Sequence, residues 1–261
     1  MRYLLDTNVF YDLEDGTLDE EAFEEHYKDH DLYSSMINFI EISTSTRTDT
    51  AKKVNVARKL LKYDMVPDSN EVLKEHLIGE KALNNSAMYI SNINDFVNNP
   101  GDQQVVEYLQ DIEGVRTNAS LAFKEDVNRI RPILYIYYGG KKNLESNNFN
   151  ALIDDLPDLI DEGKMLDILT DRLRDAINDN SIKCKYEEIP TGLRTYVYAY
   201  YAYILRKIVE DEVALYNDYC DLEQLIYCNL YVDKVLSSDS MINDILVNYL
   251  EELIIENPRE K

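Results

Sequence analysis

Four acidic residues, Asp6, Glu41, Asp221 and Asp239, stand where distant stretches of the chain can bring carboxylates together. Asp6 closes the apolar run RYLLD, and Asp239 closes the run VLSSD. Glu41 is expected in the first turn of a helix, three residues after a capping Asn38. Asp221 falls early in another helix, with Asp218 and Gln224 on the same face at spacings of three. Carboxylates crowded without a counterion repel and raise one another's pKa. A hard divalent cation relieves that repulsion and takes oxygen ligands, so the pattern points to Mg²⁺ or Mn²⁺ held by Asp6, Glu41, Asp221 and Asp239. Asn8, Asp218, Gln224 and Ser237 are expected around those ligands as hydrogen-bonding support.

The elements that would position these acids are legible as alternating strands and helices. Strands are expected at RYLLDT, at Asp31–Ile37, in YDMVPDS, in Leu230–Ser240 and in LIIENP. Helical patterns fill Asp12–Lys28, Lys52–Lys62 and Asn70–Ile90, and long helices are expected at Leu193–Val209 and Asp211–Cys228. This alternation predicts an α/β fold: an open, mostly parallel sheet of about five strands flanked by helices. Between NNPGDQQ and IPTG the texture becomes helical, with stretches at Gln103–Asp111, Ser120–Tyr137 and Met165–Asn178. The reading is a core over 1–97 and 193–261, interrupted by a helical insertion or subdomain over 98–192.

Composition bounds the function. The 261 residues are 45% hydrophobic and carry a net charge of −23, which opposes nucleic-acid binding through the whole surface. A polyanionic substrate would have to be held by bound cations, by a partner or by a local basic patch such as Lys52–Lys62 or Gly139–Lys142. Cys184, Cys220 and Cys228 form no disulfide or zinc pattern and read as buried small hydrophobes. His26 and His30 read as surface residues. No run is long enough for a membrane span, and MRYLLDTNVF lacks the character of a targeting signal, so a cytoplasmic location is expected.

The chain resembles the PIN-domain family. LLDTNVFYDL is similar to that family's opening motif, an apolar strand followed by Asp-x-Asn, here Asp6 and Asn8. Glu41 in NFIEIST resembles its second acid, NDYCDLEQLIYC its third motif, and LSSD its last, with Ser237 where Thr is usual. The 18-residue interval from Asp221 to Asp239 favours Asp221 over Asp218 as the third acid. The resemblance covers Met1–Asn94 and Leu193–Lys261. It implies a PIN-like fold and a Mg²⁺- or Mn²⁺-dependent endoribonuclease hydrolysing phosphodiester bonds in single-stranded or looped RNA. It also implies a toxin paired with an antitoxin-like protein partner, or an RNA-processing enzyme, and it favours a homodimer. The acidity, the length and the insertion depart from the family's small toxins.

Two alternatives compete: a structure-specific DNA nuclease, and a catalytically silent scaffold whose insertion binds a protein partner. A phosphotransferase with Asp6 as nucleophile fits less well, because Asn8 stands where a second Asp would be needed. Tyr11, Tyr196 and Tyr200 are candidates for stacking on bases, although packing is the commoner role for such residues.

Overall fold

The computed structural model describes residues 1–79, 81–146, 152, 155–161, 170–171, 174, 191–211, 216–228, 230–238 and 255–260. The expected helix after Asp239 lies outside them, as does most of Met165–Asn178.

Five short parallel strands form one sheet: β1 (Arg2–Leu5), β2 (Asp31–Ser34), β3 (Asp64–Met65), β4 (Lys234–Leu236) and β5 (Ile255–Glu256). Their order is β3-β2-β1-β4-β5, with every neighbouring pair parallel. Successive side chains in a strand face opposite sides, and the two apolar layers follow that alternation. Leu4, Val66 and Val235 enter one layer, while Tyr3, Leu5, Met65 and Leu236 enter the other. Both faces of the sheet are therefore covered by helices, as a parallel sheet requires.

One layer is built by α1 (Thr7–Asp15), α2 (Glu20–Tyr27), α3 (Met36–Thr44), α4 (Thr50–Leu60) and α6 (Ser86–Asn98), through residues such as Phe10, Phe39, Val56 and Phe96. The other holds α5 (Ser69–Ile78), α9 (Leu156–Asp161), α10 (Thr191–Val209) and α11 (Tyr216–Gln224). The Tyr-rich α10 is buried on nearly every face; Tyr201 and Tyr203 are fully enclosed. Cys220 and Cys228 are buried, as expected, and burial pushes the Cys228 thiol up to about 12.

The expected pair of helices at 103–111 and 120–137 is one continuous helix, α7 (Gln103–Tyr137), followed by the short α8 (Lys141–Ser146). At 1.5 Å per residue it is roughly 50 Å long. Gly114 and Asn118 lower helix propensity at the join. Burial on both sides carries the helix through: Ile112 packs in the first layer and Phe123 in the second. Among the described residues, no helix is long and apolar enough to cross a membrane.

Candidate functional site

The strand order reverses direction between β1 and β4: β2 and β3 extend the sheet to one side of β1, β4 and β5 to the other. Helices leaving the carboxyl ends of two such strands diverge and open a crevice, the usual ligand position in open α/β sheets. Asp6 lies one residue beyond β1 and Ser237 one residue beyond β4, on the two lips of that crevice.

Asp6 is the N-cap of α1, its Oδ1 accepting the Thr7 amide at 2.6 Å. The same oxygen accepts from Gln224 Nε2 at 2.8 Å, and Oδ2 accepts from Ser237 Oγ at 2.7 Å. Asn8 Nδ2 donates to Ser237 Oγ at 3.1 Å, and Asn8 Oδ1 accepts the Ser238 amide at 3.1 Å. One carboxylate is thus oriented by three elements, and α1 is stapled to the chain leaving β4.

Glu41 is not in the first turn of its helix. Ser35, not Asn38, caps α3, and Asn38 occupies the third helical position of a reciprocal capping box. The cap forms earlier because β2 ends at Ser34, freeing the Ser35 hydroxyl to accept the Asn38 amide. Asn38 Nδ2 also donates to the Leu5 carbonyl at 3.1 Å and to Thr7 Oγ1 at 3.2 Å, tying α3 to the end of β1. Released from capping, Glu41 accepts a hydrogen bond from the Thr7 hydroxyl. Burial first, and then the Asp6 charge, raise the Glu41 carboxyl to about 8; the Thr7 bond and Arg116 oppose the shift.

Asp6, Glu41 and Asp221 line one cavity of about 610 Å³. Tyr11, Arg47 and Arg116 share its wall. Arg116 comes from α7 and is anchored by donating to the Thr44 carbonyl at 2.8 Å. Tyr196 and Tyr200 do not reach this cavity; they line another. Sequence reasoning missed Arg116 and Thr7, and gave Asn38 the capping role that Ser35 holds. The Ser35–Asn38 spacing is a capping signal that could have found the Ser35 cap, but one arginine among 27 basic residues carries none. The side chain of Asp218 and the whole of Asp239 lie outside the described residues.

Among the described residues, no three His, Cys, Asp or Glu side chains stand close enough to hold a metal ion as a finished cluster. The donor chemistry nevertheless suits a hard cation: the carboxyl groups and the amide and hydroxyl oxygens there are hard oxygen donors. The Glu41 carboxyl is pushed up by burial and then by the Asp6 charge, which a bound cation would offset. Polar atoms here are also left unsatisfied. Among the described residues, Tyr11 Oη, Thr48 Oγ1 and Gln224 Oε1 are buried without a hydrogen-bond partner. Such orphans are rare unless a ligand or water completes them.

Sheet and crevice together define an α/β protein of generic Rossmann-like architecture. Comparison with protein-family models, with curated proteins and with solved structures finds no match.

Proposed function

We propose that this chain is a divalent-metal-dependent endoribonuclease with a PIN-like fold, acting on single-stranded or looped RNA. The observation carrying the proposal is that Asp6, Glu41 and Asp221, from three distant segments, line one cavity at the point where the strand order reverses. Asp6, Glu41 and Asp221 would hold Mg²⁺ or Mn²⁺, joined by Asp239 on the family pattern. A bound ion supplies Lewis acidity toward a phosphodiester and a water of lowered pKa.

The remaining work falls to the protein's own groups. Gln224 and Ser237 fix the Asp6 carboxylate so that it need not reorganise when a ligand arrives. Thr7 holds one oxygen of Glu41, setting that side chain toward the Asp6 carboxylate. Burial, then the Asp6 charge, hold the metal-free Glu41 carboxyl at about 8, so taking up a cation there at neutral pH would release a proton. Arg47 and Arg116 give the cavity a local positive edge against the chain's net charge of −23, which supports capture of a phosphate there.

Incubation with a mixed RNA pool and a structured DNA pool, each with Mg²⁺ or Mn²⁺ or with chelator, tests the proposal. RNA cut only in the presence of the ion is the expected result. Cutting of DNA flaps while RNA is spared would transfer the reading to a DNA nuclease, and cleavage indifferent to chelation would end it.

A further inference from the structure

A second cavity, of about 510 Å³, lies beside the first and shares no lining residue with it. The same three helices wall both. Ile40 faces the second cavity and Glu41 the first; Val115 and Arg116 divide likewise on α7, as do Glu223 and Asp221 on α11.

The chemistry of the second cavity differs from that of the first. Five aromatic rings line it, Phe123, Tyr196, Tyr200, Tyr219 and Tyr227, among aliphatic side chains such as Ile37 and Leu73. Two acidic side chains, Asp68 and Glu223, line it, and among the described residues no Lys, Arg or His does. Glu223 accepts from Ser69 Oγ at 2.6 Å; Asp68 caps α5 and accepts from Tyr89 Oη at 3.2 Å. Among the described residues neither acid is ion-paired. Tyr227 is wholly buried, its hydroxyl near Ser69 but, among the described residues, without a hydrogen bond. An aromatic wall attracts cations through its ring faces, and a carboxylate fixes a cationic head. The volume is that of a small-molecule site.

From this juxtaposition we infer that the second cavity is a binding site for a small organic cation, an amine carried on a flat apolar body. The ammonium group meets Glu223 and Asp68, and the apolar body lies among Phe123, Tyr196 and Tyr219. The inference is independent of the nuclease reading, because none of these residues belongs to the first cavity.

Three isosteric probes test it by titration calorimetry on the full chain at neutral pH: tryptamine, the neutral alcohol tryptophol, and the anion indole-3-acetate. Tryptamine should bind at least tenfold more tightly than tryptophol, and indole-3-acetate should not bind. Glu223→Gln retains the bond to Ser69 and should weaken tryptamine at least tenfold. Ala119→Phe fills the cavity without altering charge and should abolish binding, with the fold checked by circular dichroism. Equal binding of amine and alcohol would overturn the charge preference. Tryptamine binding that survives Ala119→Phe would overturn the location, and no binding up to millimolar tryptamine would overturn the site.

Discussion

Gln224 Nε2 donates to Asp6 Oδ1 at 2.8 Å across 218 residues of chain, joining the end of α11 to the end of β1 inside a buried pocket. The bond holds in place the carboxylate on which the proposed chemistry centres, while the other amide atom, Oε1, has no partner among the described residues. Gln224→Leu removes the donor and leaves Asp6 with one fewer hydrogen bond. The expected cost is about 1–3 kcal/mol in stability, read from urea denaturation. RNA cleavage should fall at least tenfold while Kd for RNA changes little. A variant of full activity would show that Asp6 needs no such positioning.

Glu41 gives the metal-free protein a pH signature. An ordinary glutamate loses its proton near 4.5, whereas the folded protein holds this one to about 8. Between those values the folded state carries a proton that the unfolded chain has lost, so stability declines as pH rises from about 4.5 to 8. Outside that window Glu41 contributes no slope. Urea midpoints measured in chelator across pH 4–9 should show the decline, and Glu41→Gln should flatten it. Added Mn²⁺ should raise the midpoint more at pH 8 than at pH 6, because ligation needs the ionised carboxyl.

Arg116 is the α7 residue on the wall of the carboxylate cavity. If it meets phosphate there, Arg116→Gln should weaken RNA binding about tenfold and reduce the slope of log K against log salt by about 1. Fluorescence anisotropy at several salt concentrations measures both. An unchanged salt slope would confine Arg116 to anchoring Thr44.

The carboxyl-terminal segment is pinned by Arg259, whose Nε and Nη2 engage Asp12 at 2.8 and 2.5 Å. Asp12 is buried and also accepts from Ser238 Oγ at 3.1 Å. Arg259→Ala leaves a buried carboxylate without its cation, at a cost of about 1–3 kcal/mol. A thermal unfolding midpoint lowered by several degrees is the expected readout.

The strands were legible because a buried parallel strand must be apolar on both faces, so RYLL and KVL stand out against an acidic background. The strand expected at Leu230–Ser240 is only Lys234–Leu236, ending four residues early, but the parallel sheet and the end of β1 followed from the same pattern. The place of Glu41 within its helix did not, because two caps, Ser35 and Asn38, compete within four residues and only tertiary bonds to Leu5 and Thr7 decide between them. The continuity of α7 was hidden by Gly114 and Asn118, whose weak propensity is overridden by burial of Ile112 and Phe123. Arg116 reaches the cavity only through that continuity. Local sequence could not reveal it.

The most direct measurement compares Mn²⁺-dependent cleavage of a fluorogenic single-stranded RNA by the wild-type chain and by Asp6→Asn, with matched unfolding midpoints confirming that both are folded. Cleavage that requires the ion and falls at least a hundredfold in Asp6→Asn is the predicted result. Equal cleavage by the two proteins, or none by the wild type at any divalent-ion concentration, would contradict the proposal that these carboxylates form a nuclease site.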